Sequence, residues 1–355
     1  IDPYFSGKKI RWILKNVQGA AEKARKGQVL AGTIDTFLLW RLTAGLSHKT
    51  DVSNASRTML MNIHKGTWDP ELMKLFSVPE HILPEIADSS GVFGKTKGLG
   101  ILPDGIPISG IAGDQQAALF GQTCFAVGEA KCTYGTGSFL LMNTGNKAVQ
   151  SKNQLLTTIA WRLPKQKMVY AVEGSAFICG AAVQWLRDGL KIIKSSAEIE
   201  GLARSVSSSE GVEFVPALTG LGAPYWKSEA RGVICGLSRG TTVSHIARAT
   251  LEAMALQNTE ILIAMEKDLG KKLKNLRVDG GASVNNLLMQ LQADYMGTTV
   301  IGPKHTESTP IGPAHLAGLG VGYWSVQDIK RVWMIDQEFH SHMAVGLRKN
   351  RLSAW

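Results

Sequence analysis

The sequence predicts an α/β protein of two domains, and three observations carry that prediction. Residues 106–121 form an apolar run that ends in Gly110 and Gly113, presents a carboxylate at Asp114 and continues as a small-residue helix, the pattern of a strand-to-helix junction. Residues 276–291 repeat the design: a short strand, Asp279, the pair Gly280 and Gly281, then a helix. The 355 residues exceed what one hydrophobic core normally holds together, and 44% hydrophobic content is ordinary for a globular protein. The boundary is placed after the first junction, giving domains of residues 1–121 and 122–355.

The chain opens on a turn around Asp2 and Pro3, with Tyr4 in it, and becomes an amphipathic helix to residue 16 in which Ile10, Ile13 and Leu14 share a face. A second helix is predicted over 34–44, ended by Gly45. Residues 50–57 are polar and rich in side chains that bond their own backbone, so they read as an ordered loop, and 58–63 read as a strand. Pro70, Pro79 and Pro84 break residues 68–86 into short helical pieces.

Beyond Gly121 the texture turns to strands. Residues 128–134 and 139–142 are joined by Gly135, Thr136, Gly137 and Ser138, a tight hairpin whose free backbone N–H groups and hydroxyls suit an anion, although plain hairpins use the same residues. Residues 155–160 and 168–172 read as a strand pair leading into a helix over 175–187. Gly180 in mid-helix costs ~1 kcal/mol relative to Ala, which marks a close approach there. A strand follows at 212–218, a loop at 220–226, and the longest helical pattern at 247–265.

A net charge of +10 suits an anionic partner, either a nucleotide or a nucleic acid. The basic residues are scattered, without the aromatic interleaving of single-strand binders, so they read as solvated faces and no nucleic-acid partner is expected. Cys124, Cys132, Cys179 and Cys235 lack metal or redox spacing and read as reduced, packed thiols of a cytoplasmic protein. No apolar run reaches the ~18 residues of a membrane span, and no signal peptide is visible, so no membrane insertion is expected. Because the chain begins at Ile1, it is expected to be a piece of a longer protein.

Asp114 has two readings at this level: a helix N-cap, or a general base for a hydroxyl beside two amides and glycine-rich backbone. The glycines at 280 and 281 precede a helix N-terminus, a ready anion site, yet neither a full GxGxxG nor a Walker A motif is present, so any nucleotide site is of another kind.

Together the motifs resemble the FGGY carbohydrate kinases. One family signature is met by residues 4–16, with Tyr4, Ser6, Lys9 and Trp12 in place, and a second by residues 232–252, through Gly232, His245 and Glu252. Residues 1–7, 53–58, 110–121 and 223–226 are similar to the glycerol-using members rather than to their pentose and gluconate relatives, and the resemblance covers nearly the whole chain. It implies an actin-like ATPase architecture of ribonuclease H-like domains, with ATP and glycerol in the cleft between them. It implies Asp114 as the base that takes the proton of a glycerol hydroxyl, with Tyr4 and Gln115 on the hydroxyls, Phe139 on the carbons, and Mg²⁺ on the phosphate oxygens without a protein metal ligand. Thr136 and Gly137 would reach the ATP phosphates, Gly180 and Gln184 would border the ribose, and Gly281 with Asn285 would cover the α-phosphate and adenine.

Departures set further expectations. The family's Asp-Gln-Gly-Thr-Thr-Ser phosphate loop and its glycerol-binding Arg-Glu pair are not among these 355 residues, which implies an incomplete first domain and weak or absent turnover by the chain alone. Residues 97–104 lack the Arg or His of the family's regulatory loop, Pro310 and Pro313 are expected to interrupt a helix near Gly312, and the tail from His340 reads as divergent. Another sugar or polyol kinase of the family, or a non-catalytic nucleotide-binding chain, is the alternative, and self-association is expected of the full-length protein.

Overall fold

The computed structural model describes residues 4–305 and 307–355, so the expected turn at Asp2 and Pro3 lies outside the described residues. The first part runs α1 (Ser6–Asn16), α2 (Ala20–Arg25), α3 (Ile34–Leu42), β1 (Lys49–Asp51), α4 (Val52–Ala55), β2 (Met61–Asn62), β3 (Thr67–Trp68), α5 (Pro70–Phe76), β4 (Glu85–Ala87), β5 (Ser90–Lys95), β6 (Pro107–Gly110) and α6 (Asp114–Gly121). Its strands pair in twos: β1 parallel to β4, β2 with β3, and β5 antiparallel to β6.

Ile10 and Leu14 of α1 pack on a small core of Leu60, Met73, Phe76 and Ile82, and Ile13, half exposed, lines a surface groove together with them. Residues 50–57 are not a loop. Asp51 accepts from the backbone N–H groups of Ser53 and Asn54, capping the single-turn α4. The expected strand over 58–63 shrinks to β2 because the Thr58 hydroxyl bonds the local backbone instead, donating to the Ala55 carbonyl at 2.7 Å and accepting from Leu60 N at 3.0 Å.

The second part continues β7 (Ala130–Tyr134), β8 (Ser138–Gly145), β9 (Leu156–Trp161), β10 (Val169–Ala176), α7 (Gly180–Asp188), α8 (Glu198–Arg204), β11 (Glu213–Val215), β12 (Val233–Cys235), α9 (Val243–Leu269), β13 (Asn275–Asp279), α10 (Asn286–Met296), β14 (Thr299–Pro303), α11 (Ser308–Gly320), α12 (Val326–Val332), β15 (Ile335–Phe339) and α13 (Val345–Ala354). Seven strands form one mixed sheet in the order β15, β14, β13, β7, β8, β10, β9. Strand β13 lies parallel to both β14 and β7; the remaining neighbours are antiparallel. Helix α9 is buried along most of its length, its residues Leu251, Met254 and Ile261 joining sheet residues Cys132, Leu140 and Val278 in the largest core.

Two expectations, on the prolines and on the cysteines, are corrected here, and the divergent tail is placed in the fold. Helix α11 runs without a break through Pro310 and Pro313: Pro310 sits in the first turn, where an N–H has no helical partner. Pro313 lies inside the helix, next to Gly312, where α11 comes so close to α6 that a Cβ would lie 2.0 Å from the Ala117 carbonyl oxygen. The tail is not loose, since β15 extends the sheet beside β14 and Arg351 of α13 donates to Glu213 and Glu252 at 2.7 and 3.0 Å. Three cysteines are buried, with burial pushing the Cys124 and Cys179 thiols up to about 12, but Cys235 is exposed on the short strand β12.

Candidate active site

Strand β6 delivers the chain to Gly113, and Gly113 rather than Asp114 is the cap of α6; Asp114 is the first residue of the helix, which corrects the N-cap reading. Gly113 N donates to Ser53 Oγ at 2.8 Å, and Ser53 Oγ in turn donates to Asp51 Oδ1 at 2.9 Å. Asp51 is fully buried and also accepts from the Ser89 hydroxyl at 2.6 Å. Burial raises its carboxyl above the ordinary value, and these hydrogen bonds oppose the rise. The α4 turn thus holds the entrance to the Asp114 helix.

Asp114 is exposed, and its carboxylate is oriented by its neighbour: Gln115 N donates to Oδ1 at 2.8 Å and Gln115 Nε2 to Oδ2 at 3.2 Å. Gln115 Oε1 accepts from Lys131 Nζ, which also donates to the Thr133 hydroxyl at 2.8 Å and the Phe139 carbonyl at 3.3 Å. Asp114, Gln115 and Phe139 are therefore brought together through Lys131, a residue that sequence reasoning passed over. Its signal was a lone cation in an otherwise apolar strand of a covered sheet. Tyr4 is exposed, its ring 5.8 Å from the guanidinium carbon of Arg57, which pairs with the buried Glu173 at 2.9 Å.

The second group assembles around the β7–β8 hairpin, which forms as expected, with Gly135 N donating to the Gly137 carbonyl at 2.9 Å. Its tip docks on the start of α7: Gly180 N donates to the Gly135 carbonyl at 2.9 Å, and Cys179 N and Ala181 N to the Thr136 carbonyl at 2.8 and 3.0 Å. Gly180 is the first residue of α7 and not mid-helix, because β10 extends through Ala176. The close approach is nonetheless real, as a Cβ at Gly180 would lie 2.6 Å from the Gly135 carbonyl oxygen. On the other side Gly280, at φ +86°, abuts Tyr134 of the hairpin, and Asn285 caps α10 through Leu288 N at 2.9 Å.

Between α7, the hairpin and the turn at 281–284 lies a cavity of about 630 Å³. Thr136, Gly180, Gln184, Gly281 and Asn285 all line it, with Met254 on its apolar wall; Gly137 is buried beneath the hairpin instead. The volume falls in the range of small-ligand sites. Asp279 ends β13, just before the Gly280–Gly281 turn, almost fully buried, with neither carboxylate oxygen hydrogen-bonded among the described residues. Among the described residues no three His, Cys, Asp or Glu side chains converge to hold a metal ion, and no helix is long and apolar enough to cross a membrane.

An exposed, oriented carboxylate thus stands on one side of a hairpin whose tip enters a nucleotide-sized cavity. The C-terminal domain profile of the FGGY family of carbohydrate kinases matches residues 130–321, and its N-terminal domain profile matches residues 1–121. The chain belongs to this family. It is 66% identical to a glycerol kinase of Bdellovibrio bacteriovorus across all of this chain and 72% of that relative's length, and 57% identical to one of Deinococcus radiodurans across 71% of its length. The crystal structure of Plasmodium falciparum glycerol kinase with ADP superposes with a TM-score of 0.94 at 41% identity, covering all of this chain and 71% of that one. A xylulose kinase of Lactobacillus acidophilus shares the fold at 20% identity and a TM-score of 0.85, over 99% of this chain and 70% of its own. The fold is accordingly the two-domain α/β, actin-like ATPase architecture of FGGY kinases.

Proposed function

We propose that this FGGY kinase transfers the γ-phosphoryl group of ATP to a terminal hydroxyl of glycerol, giving sn-glycerol 3-phosphate and ADP. The observation that carries the reading is one hairpin serving both ligands: Phe139 at its base meets the Lys131–Gln115–Asp114 group, and Thr136 at its tip lines the 630 Å³ cavity. The kinship with glycerol kinases supplies the acceptor. Residues 1–121 form the glycerol side and residues 122–355 the nucleotide side.

In this mechanism Asp114 takes the hydroxyl proton as the hydroxyl oxygen bonds to the γ-phosphorus; the bond from phosphorus to the β–γ bridging oxygen breaks, and the electron pair leaves with ADP. Gln115 and Tyr4 hold the glycerol hydroxyls and Phe139 its carbons. Thr136 receives the phosphates, with Gly137 buried behind it, Gly180 and Gln184 the ribose, and Gly281 and Asn285 the α-phosphate and adenine. Among the described residues no group of three carboxylate, His or Cys side chains gathers to bind a metal, so a Mg²⁺ brought with ATP would be held by the phosphate oxygens, near the exposed Asp114. When bound, that ion neutralises phosphate charge. Most of the remaining barrier is lowered by positioning.

A coupled assay of glycerol-dependent ADP release, run on the full-length protein because these 355 residues lack the family's phosphate loop, tests this. Asp114→Asn is expected to lower kcat by about 10²- to 10⁴-fold, the usual worth of a general base, with ADP affinity unchanged. Turnover that survives in Asp114→Asn, absence of glycerol-dependent turnover, or a preference for xylulose or gluconate overturns the assignment.

A further inference from the structure

Lys131 has no exposed surface, although an ammonium taken out of water costs several kcal/mol unless its hydrogens are satisfied. Its three hydrogens go to three neutral acceptors: Gln115 Oε1, the Thr133 hydroxyl and the Phe139 carbonyl. An ammonium donates and never accepts. The carbonyl and the hydroxyl meet that demand whichever way they turn, but the Gln115 amide has one accepting end and one donating end. Only its oxygen can face Lys131. Its Nε2 must then face away, which is where it donates to Asp114 Oδ2 at 3.2 Å.

We propose that Lys131 is a positioning residue that locks the Gln115 amide in one orientation, and through it holds the Asp114 carboxylate in place. The second Nε2–H is thereby left as a donor at the acceptor site, so Gln115 selects a hydroxyl oxygen. This rests on the reading of Asp114 as the base. The surrounding charge fits the role: burial pulls Lys131 below the ordinary lysine value, while Asp279 from β13, Glu173 from β10 and Asp114 from α6 favour its charged form. Asp279, with no hydrogen-bond partner among the described residues, is the largest of these counterweights.

Two measurements test the proposal. In the chain labelled with ¹⁵N at glutamine side chains, the Gln115 amide pair, assigned by its loss in Gln115→Ala, is expected to be displaced from the shifts of a free glutamine and to exchange slowly with solvent, and both features are expected to be lost in Lys131→Met. In glycerol-dependent turnover of the full-length protein, Lys131→Met and Gln115→Ala are each expected to lower kcat/KM by roughly 100-fold, with the double variant no worse than the poorer single one and ADP affinity within about twofold. Should Lys131→Met fail to fold, Gln115→Glu serves instead: it keeps an acceptor for Lys131 but places an oxygen against Asp114, and is expected to lose kcat by a similar factor. Unchanged Gln115 signals in Lys131→Met, additive losses in the double variant, or full activity in Gln115→Glu overturns the proposal. If the wild type shows no glycerol-dependent turnover, the functional reading fails by itself, and the amide signals still decide whether Lys131 holds Gln115.

Discussion

Single residues set the tolerances of this site. Gly180 lies where a methyl group would meet the Gly135 carbonyl at 2.6 Å, a backbone atom that cannot swing aside. Gly180→Ala is therefore expected to push the hairpin tip off α7 and weaken ADP binding about tenfold, equivalent to about 1.4 kcal/mol by calorimetry. His315 gives a pH dependence. It is buried against Trp324 at 5.0 Å, its Nδ1 lacks a partner, and burial pulls its pKa below the ordinary 6.5. A lowered folded-state pKa means that the unfolded chain binds the proton more readily, so stability holds above pH 6.5 and is lost as pH falls from there through the lowered value. His315→Leu should flatten that acid-side slope in denaturant melts recorded between about pH 4 and 7. Among the site residues, Asp114 and the hairpin glycines stood out in the sequence by their place at strand ends, although a helix cap and a plain hairpin use the same residues, and only the surrounding motifs favoured a site. Lys131 did not, since a cation in a strand ordinarily reads as a solvated position and only the tertiary structure shows where its three hydrogens go.

At the scale of elements, the close seat of α6 on α11 depends on glycine. A Cβ at Gly312 would fall 2.0 Å from the Ala117 carbonyl oxygen, and one at Gly121 would fall 2.3 Å from that of Ser308. Gly312→Ala is expected to destabilise the protein by roughly 3 kcal/mol through overpacking, read as an earlier urea midpoint at unchanged slope. Elements with sustained periodicity, such as α3, the pair β9 and β10, and the core of α9, were legible as helices or strands from the residues alone. Those that fail do so for local reasons. Asp51 and Ser53 turn a polar stretch into a capped helix by bonding backbone that a loop would leave to water, and the prolines of α11 break no helix: one falls in its first turn, and the other lies next to Gly312, where α11 comes close to α6.

At the scale of the whole molecule, the two parts are tied by polar contacts as well as by packing. Arg57, at the end of the α4 turn, reaches Glu173 on the central sheet, and Glu173 is only 3% exposed. Removing one member strands the other, so Arg57→Ala is expected to cost about 3 to 5 kcal/mol in equilibrium unfolding, whereas Arg57→Ala combined with Glu173→Gln should recover part of that loss. The α/β class and the two-part organisation were legible from length and from the repeated strand–glycine–carboxylate design. The seven-stranded order was not, because β13 enters between β14 and β7 only through pairings far apart in sequence. The seat of α6 on α11 carries a temporal consequence of the same kind. Ser109, just ahead of the Asp114 helix, bonds the Ala317 carbonyl across 208 positions of sequence. At translation rates of about 5 to 20 residues per second, Asp114 leaves the ribosome roughly 10 to 40 s before the helix that seats it. Through that interval the nascent chain carries the Asp114 carboxylate without the helix that seats it, so the order of synthesis sets the order in which this junction is completed.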